Sequence, residues 1–305
     1  MPRFAFALTC IAVLALAACD NSVEQAIPDP EFTPEGWALV WNDEFDGTEV
    51  DTSKWEFQLG DGCNQGVGNE LCGWGNNELQ SYNAESATVA DGLLTITARQ
   101  DTLSGDTTYT SARLRTLGKG DWTYGRFEVK AKLPTGQGLW PAIWLLFSEP
   151  TYGGWAASGE IDIMEAVGSK PGEVFGTLHY GGSFPDNVFA GEEFQLAAGT
   201  IADDFFVFTV EWEEAVPDNP DTEEDEFVPT TIRWYINNVL YQTQTSDDWF
   251  VAGLEEENPA APFDHAFHMI LNVAVGGNLP GSPDATTVFP QTMQVDYVRV
   301  YERSE

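Results

Sequence analysis

The sequence predicts an all-β protein built as an antiparallel two-sheet sandwich, and three observations carry that prediction. Short runs with apolar residues at alternate positions recur along the chain, which is the period of a half-buried strand. Gly, Asp, Asn and Pro bound these runs and supply the turns that antiparallel neighbours need. No long stretch repeats its apolar residues every 3.6 positions, so nothing argues for a substantial helix.

The chain opens with Arg3 and an apolar run over residues 4–18, which reads as an export signal too short for a comfortable membrane span. Its ending, Leu16-Ala17-Ala18-Cys19, resembles a bacterial lipobox, whose cleavage leaves Cys19 as a lipid-modified first residue. A plain secretory peptide cut near Ala18 is the alternative. Asp20 resembles the residue that keeps some lipoproteins at the inner membrane. The expectation is an exported protein, lipid-anchored to a bacterial membrane in the periplasm or at the cell surface, or secreted. Residues 20–35 are polar and proline-bearing and read as a flexible tether, which leaves residues 36–303 as one globular domain.

Export bears on the cysteines. With Cys10 removed in the signal and Cys19 lipidated, Cys63 and Cys72 remain, flanking the Gly- and Asn-rich loop CNQGVGNELC. An even pair in an oxidising compartment predicts a disulfide, with two free buried thiols as the other reading.

The strands then follow in order. LLTITAR (93–99), YGRFEVKAKL (124–133), FFVFTVEW (205–212) and TIRWYINNVLYQTQT (231–245) alternate cleanly. In the last, Asn237-Asn238 suits a two-residue hairpin turn with positive φ. Residues 213–229 and 247–264 are acidic and proline-broken, and read as solvated insertions.

With 49 Asp and Glu against 13 Lys and Arg, the chain is formally −36. That field repels nucleic acid and anionic polymers, which points to a neutral partner. The acidity itself reads as solvation for a saline habitat.

One decapeptide carries the chemistry. Residues 159–168 read GEIDIMEAVG, with carboxylates at Glu160, Asp162 and Glu165. A regular strand puts the first two on one face and Glu165 on the other. A helix, at about 100° per residue, scatters all three. A β-bulge resolves this: if Ile163 and Met164 together oppose one neighbouring residue, Glu165 returns to the face of Glu160 and Asp162. Two pitches of ~6.6 Å then set Glu160 and Glu165 about 13 Å apart at the backbone. Inward-leaning side chains bring the carboxylates towards the ~5 to 5.5 Å that a retaining glycosidase needs. Taken alone, an exposed strand face with three solvated acids fits the decapeptide equally well.

The wider pattern breaks that tie. E-I-D-I-M-E, with its extra Met, resembles the signature of bacterial laminarinase-like members of glycoside hydrolase family 16. So do WNDEFDG (41–47), GWGNNELQSY (73–82), YTSARL (109–114), YGRFEVKAKLPTGQGLWPAIWLL (124–146), GTLHY (176–180), APFDHAFHMILNVAVGGNLPG (261–281) and VDYVRVYE (295–302), over most of residues 37–303. The resemblance implies a jelly-roll sandwich with a concave cleft, Glu160 as nucleophile, Asp162 as assisting acid and Glu165 as acid/base, with no cofactor in catalysis. Lichenase-like and xyloglucan-active members lack the extra residue. Agarases and carrageenases carry it, but the dense negative charge and the WPAIW and GWGNNELQ segments weigh against them. The expected substrate is a neutral laminarin-type β-1,3-glucan, cleaved internally by a monomer. A related activity on another β-glucan or galactan, a transglycosylase and a non-catalytic sugar-binding sandwich are the rivals.

A sugar ring offers an apolar face to aromatics and hydroxyls to planar polar groups. Trp140 and Trp144, four apart, share a strand face, and Trp155 lies five residues before Glu160. For each, a core aromatic is the alternative. His179, Asn77 and Arg113 match cleft positions of the family, although Arg113 also suits a surface ion pair. His265 and His268, three apart in a strand, make a poor ligand pair. The resemblance implies a structural Ca²⁺ held by Glu44, Asp296 and the carbonyl of Gly92, for which oxygen ligands are suited. Two solvated acids are the competing reading.

Overall fold

The alternating runs pair into two sheets in the computed structural model, which describes residues 34–63, 69–103, 106–216, 228–254 and 258–304. The first sheet has ten strands. Its order is Val239–Thr245, Thr231–Ile236, Phe206–Glu213, Gly125–Lys132, Gln291–Arg303, Leu93–Leu103, Asp106–Ser111 and Gln80–Tyr82, with Trp37–Asp43 and Ala87–Ala90 paired alongside. The second has eight: Asn187–Gln195, Glu173–Gly181, Glu160–Glu165, Leu139–Phe147, Phe267–Val275, Arg113–Arg115 and Glu56–Phe57, with Asp121–Trp122 on Phe267–Val275. Pairing is antiparallel except between Gln80–Tyr82 and Asp106–Ser111. Chain neighbours are repeatedly separated within a sheet, as in a jelly roll. The described residues hold only two short 3₁₀ segments, Asn69–Gly75 and Ala84–Ser86.

The predicted runs fall where alternation put them. Asn237 and Asn238 turn the hairpin at φ 48 and 63°. Leu94, Ile96, Phe127, Val129, Phe208, Trp212 and Trp234 of the first sheet meet Ile143, Leu145, Ile161, Leu178 and Leu271 of the second in one core. Each such side chain contributes roughly 1.5–3 kcal/mol on burial.

One expectation needs correcting. Residues 247–264 are not simply a solvated insertion: Trp249, Val251, Ala261 and Phe263 are buried, and the Phe263 carbonyl accepts a hydrogen bond from Trp212 Nε1 at 3.2 Å. Trp249 and Phe263, in edge-to-face contact at 5.0 Å, join the core from an irregular backbone that shows no period. Residues 217–227, most of the other acidic stretch, lie outside the described residues, as do Cys19, the signal and the tether as far as residue 33.

The strand Glu160–Glu165 sits between Leu139–Phe147 and Glu173–Gly181 in the second sheet. Ile161, Ile163 and Met164 are all buried in the core and pin its register. From Asp162 to Glu165 the strand advances three residues while its neighbour advances two, from Thr177 to Phe175, so Ile163 and Met164 together face Gly176. This is the bulge that the acid spacing required. Gly176 has a steric reason to be glycine, because a Cβ there would lie 2.5 Å from Trp234 Cδ1. Trp234, so admitted, donates from Nε1 to the Asp162 carbonyl at 2.8 Å and ties the bulge to the opposite sheet.

Candidate active site

With its apolar residues committed to the core, the strand presents Glu160, Asp162 and Glu165 on the other face. His179, directly opposite Glu160, joins them. Its Nε2 lies 3.3 Å from Asp162 Oδ2 and 3.7 Å from Glu160 Oε1. Ligand-type atoms of Glu160, Asp162 and His179 all fall within 4.8 Å of one another.

The three tryptophans expected to line a cleft are half-buried and lie outside the hydrophobic core. Two of them hold the outer acids: Trp155 Nε1 donates to Glu160 Oε2 at 3.0 Å, and Trp140 Nε1 to Glu165 Oε1 at 2.9 Å. Trp144, opposite Asp162 in register, donates instead to Asn272 Oδ1 at 2.9 Å. One strand thus supplies two ring faces two turns of the pleat apart, as the spacing of four predicts.

Arg113 is buried, so the surface ion-pair reading fails. Its guanidinium lies 4.5 Å from the Trp74 ring centroid and 4.8 Å from that of Trp144, and its Nε donates to Gln58 Oε1 at 2.6 Å. It therefore braces the Trp144 wall. Asn77, exposed at φ 58°, donates to Asn278 Oδ1 at 2.8 Å and has no hydrogen bond to the acids. Sequence reasoning missed what lies behind this wall. Asn272 Nδ2 donates to Tyr82 Oη at 3.2 Å, and Tyr82 and Gln80 donate to buried Glu78 at 3.2 and 2.6 Å. The only hint was the alternation in ELQSY. Cys63 and Cys72 are joined as a disulfide beside this segment.

Burial sets the electrostatics. The side chains of Glu160 and Asp162 are 13% and 4% exposed. Desolvation, then the charge of Asp162, pushes Glu160 up to about 8 against the pull of His179 and the Trp155 hydrogen bond. Desolvation raises Asp162 to about 8. Glu165 rises to about 8 through desolvation and Asp162, opposed by His179 and Trp140. All three acids are raised by burial, and they lie close enough for their titrations to be coupled.

This has a consequence for stability. Raised carboxyl values favour the fold while the unfolded groups are also protonated, below about 4, and that advantage is lost as pH rises to about 8. Asp162→Asn removes the penalty. It should match the wild type near pH 4 and exceed it at alkaline pH by roughly 1–2 kcal/mol, about 3–6 °C in Tm. A Tm difference that stays constant across this range in thermal unfolding would contradict the assignment.

The residues implied for a calcium ion are otherwise engaged. Both Glu44 oxygens accept from Arg299, at 2.8 and 2.9 Å, and Asn42 Nδ2 adds a third contact at 3.1 Å. Asp296 is paired with Lys130 at 2.5 Å. Gly92 lies in a turn at φ 74°. Each carboxylate already has a cation of this chain as a partner, so Ca²⁺ held here would have to share or displace those contacts. His265 Nε2 contacts the Ser158 carbonyl at 3.2 Å, and His268 is buried.

Comparison with known proteins agrees with this geometry. The sequence profile of glycosyl hydrolases family 16 matches residues 75–218. Glucan endo-1,3-beta-glucosidase A1 of Niallia circulans is 43% identical over 278 residues, 88% of this chain and 38% of that protein, so the chain spans well under half of that relative. The beta-glucanase of Rhodothermus marinus is 40% identical over 277 residues, covering 87% of this chain and 85% of that protein. Among solved structures, the laminarinase catalytic domain of Thermotoga maritima superposes with a TM-score of 0.72 at 38% identity, covering 89% of this chain and 100% of that one. On its similarity to these proteins along most of its length, this chain belongs to glycosyl hydrolases family 16 and is a glycoside hydrolase.

Proposed function

We propose that this protein cleaves internal β-1,3-glucosidic bonds of laminarin-type glucans with retention of anomeric configuration. The observation that carries the reading is the bulge at Ile163-Met164, which sets Glu160, Asp162 and Glu165 on one face, with the outer two each held by a tryptophan N–H. In the first step the Glu160 carboxylate attacks the anomeric carbon. The glycosidic C–O bond breaks, and Glu165 gives its proton to the departing oxygen. Water then attacks the same carbon. Glu165 takes a proton from it and Glu160 leaves as a carboxylate, so two inversions restore the configuration.

His179 Nε2 lies 3.3 Å from Asp162 and 3.7 Å from Glu160, and the acid that must donate first, Glu165, is the one assigned the proton. Asp162 assists by sharing a proton with Glu160. Trp140, Trp144 and Trp155 offer faces to the sugar, with Arg113 bracing and Asn77 at the rim.

The names of the relatives support the glucan, and a formal charge of −36 disfavours sulfated chains. Product analysis on laminarin, lichenan, agarose and carrageenan in parallel tests the substrate. Laminarin should release short oligosaccharides fastest, and preference for agarose or carrageenan would overturn the reading. A transglycosylase uses the same residues and differs only in which acceptor, sugar or water, takes the glycosyl group. We also propose an exported, monomeric protein held to a membrane through a lipidated Cys19. Radiolabelled palmitate that fails to enter the protein would remove the anchor.

A further inference from the structure

The face that carries the acids continues past the catalytic strand. Residues directly opposite in an antiparallel pair share a face, and the register runs Glu160↔His179↔Phe189, Asp162↔Thr177↔Gly191 and Glu165↔Phe175↔Glu193. Two strand spacings of ~4.8 Å carry these rows roughly 10 Å beyond the acids, to the edge strand Asn187–Gln195. On that strand Ala190 and Phe194 pack against the core, so its other face is fixed towards the site.

Phe189 on this face is 71% exposed. Its ring centroid lies 5.9 Å from that of His179, which lies 5.4 Å from that of Trp155, so aromatic surface runs without a break from Glu160 to the sheet edge. A lone exposed phenyl needs no explanation, but one in the nucleophile's own row does. On the edge strand itself, the position between Phe189 and Glu193 on this face is Gly191. A Cβ there would stand 2.5 Å from the Gly176 carbonyl oxygen and 2.9 Å from Thr177 Oγ1, so glycine lets the edge strand lie this close to its neighbour, and the row ends without a side chain. Glu193 on the far side is exposed, and a carboxylate is a hydrogen-bond acceptor suited to hydroxyls and unsuited to anionic sugars.

We propose that Phe189 is a stacking platform for a glucosyl ring beyond the one being cleaved, so that the edge strand reads the length of a neutral glycan chain. This inference rests on the reading of the site as a β-glucan hydrolase. The occupant follows from continuity: a chain lying between Glu160 and Glu165 crosses the strands and leaves the sheet over Gly191. The apolar ring face meets Phe189, and the hydroxyl fringe meets Glu193.

The test compares Phe189→Ala and Phe189→Trp with the wild type on oligosaccharides of increasing length, drawn from whichever β-glucan the wild type cleaves fastest. For Phe189→Ala, the ratio of kcat/KM on long to short chains should fall roughly three- to ten-fold, mainly through KM, and Phe189→Trp should retain it. Calorimetry in a Glu160→Gln background, which needs no turnover, should show the same loss of affinity for the longer chains. An unaltered length ratio with unaltered affinity would overturn the proposal. Failure of the β-1,3 reading shows separately, as a different preference of the wild type in the polysaccharide panel.

Discussion

Replacing Glu160 by Gln is expected to lower turnover on laminarin by about 10⁴-fold while leaving the glucan bound. The amide keeps the shape of the carboxylate and its contact with Trp155 Nε1, but its oxygen is too poor a nucleophile to attack the anomeric carbon. The same change relieves crowding, because Glu160 is held near 8 by desolvation and by Asp162. The variant should therefore be inactive yet more heat-resistant than the wild type at pH 8 to 9, the opposing pair of effects that functional strain produces. Initial rates by reducing-sugar assay and thermal unfolding check both. Activity within about ten-fold of the wild type would leave a sugar-binding or differently catalysed reading in its place.

Glu165→Ala should separate the two steps. On laminarin the loss of the proton donor is expected to cost about 10³-fold. An aryl glycoside with an acidic phenol needs no donor, so its first step stays fast and the glycosyl-enzyme accumulates as a burst. The second step then lacks its base. Azide, which needs none, should restore turnover and give a glycosyl azide of the same anomeric configuration as the substrate. Failure of azide to rescue, with substrate still bound, would remove Glu165 from the acid/base role.

Much of this was legible in the sequence because it depends on local order. Alternation fixed the faces of LLTITAR and FFVFTVEW, and the parity of Glu160, Asp162 and Glu165 demanded one inserted residue, which the register supplies opposite Gly176. The spacing of Trp140 and Trp144 placed both on one face for the same reason. What stayed hidden depends on residues that meet only after folding. Asn272, partner of Trp144, is 128 positions away, and Gln58 holds Arg113 across 55. Arg113 matched a cleft position but could not be told from a surface ion-pair partner, because nothing nearby in the chain announces the two indoles that enclose it. Residues 247–264 looked solvated because their acids outnumber the few apolar side chains that go inside. Phe189 lies in a run, NVFAGEEFQ, whose polar half suggests no site until the register sets it in line with Glu160.

The most direct measurement is covalent trapping. A 2-deoxy-2-fluoro laminari-oligosaccharide carrying a good leaving group slows both steps but slows release more, so the intermediate persists long enough for peptide mass spectrometry. The glycosyl mass should appear on Glu160, and it should be absent from Glu160→Gln. A label on Asp162 or Glu165, or no label together with a product of inverted configuration, would contradict the account.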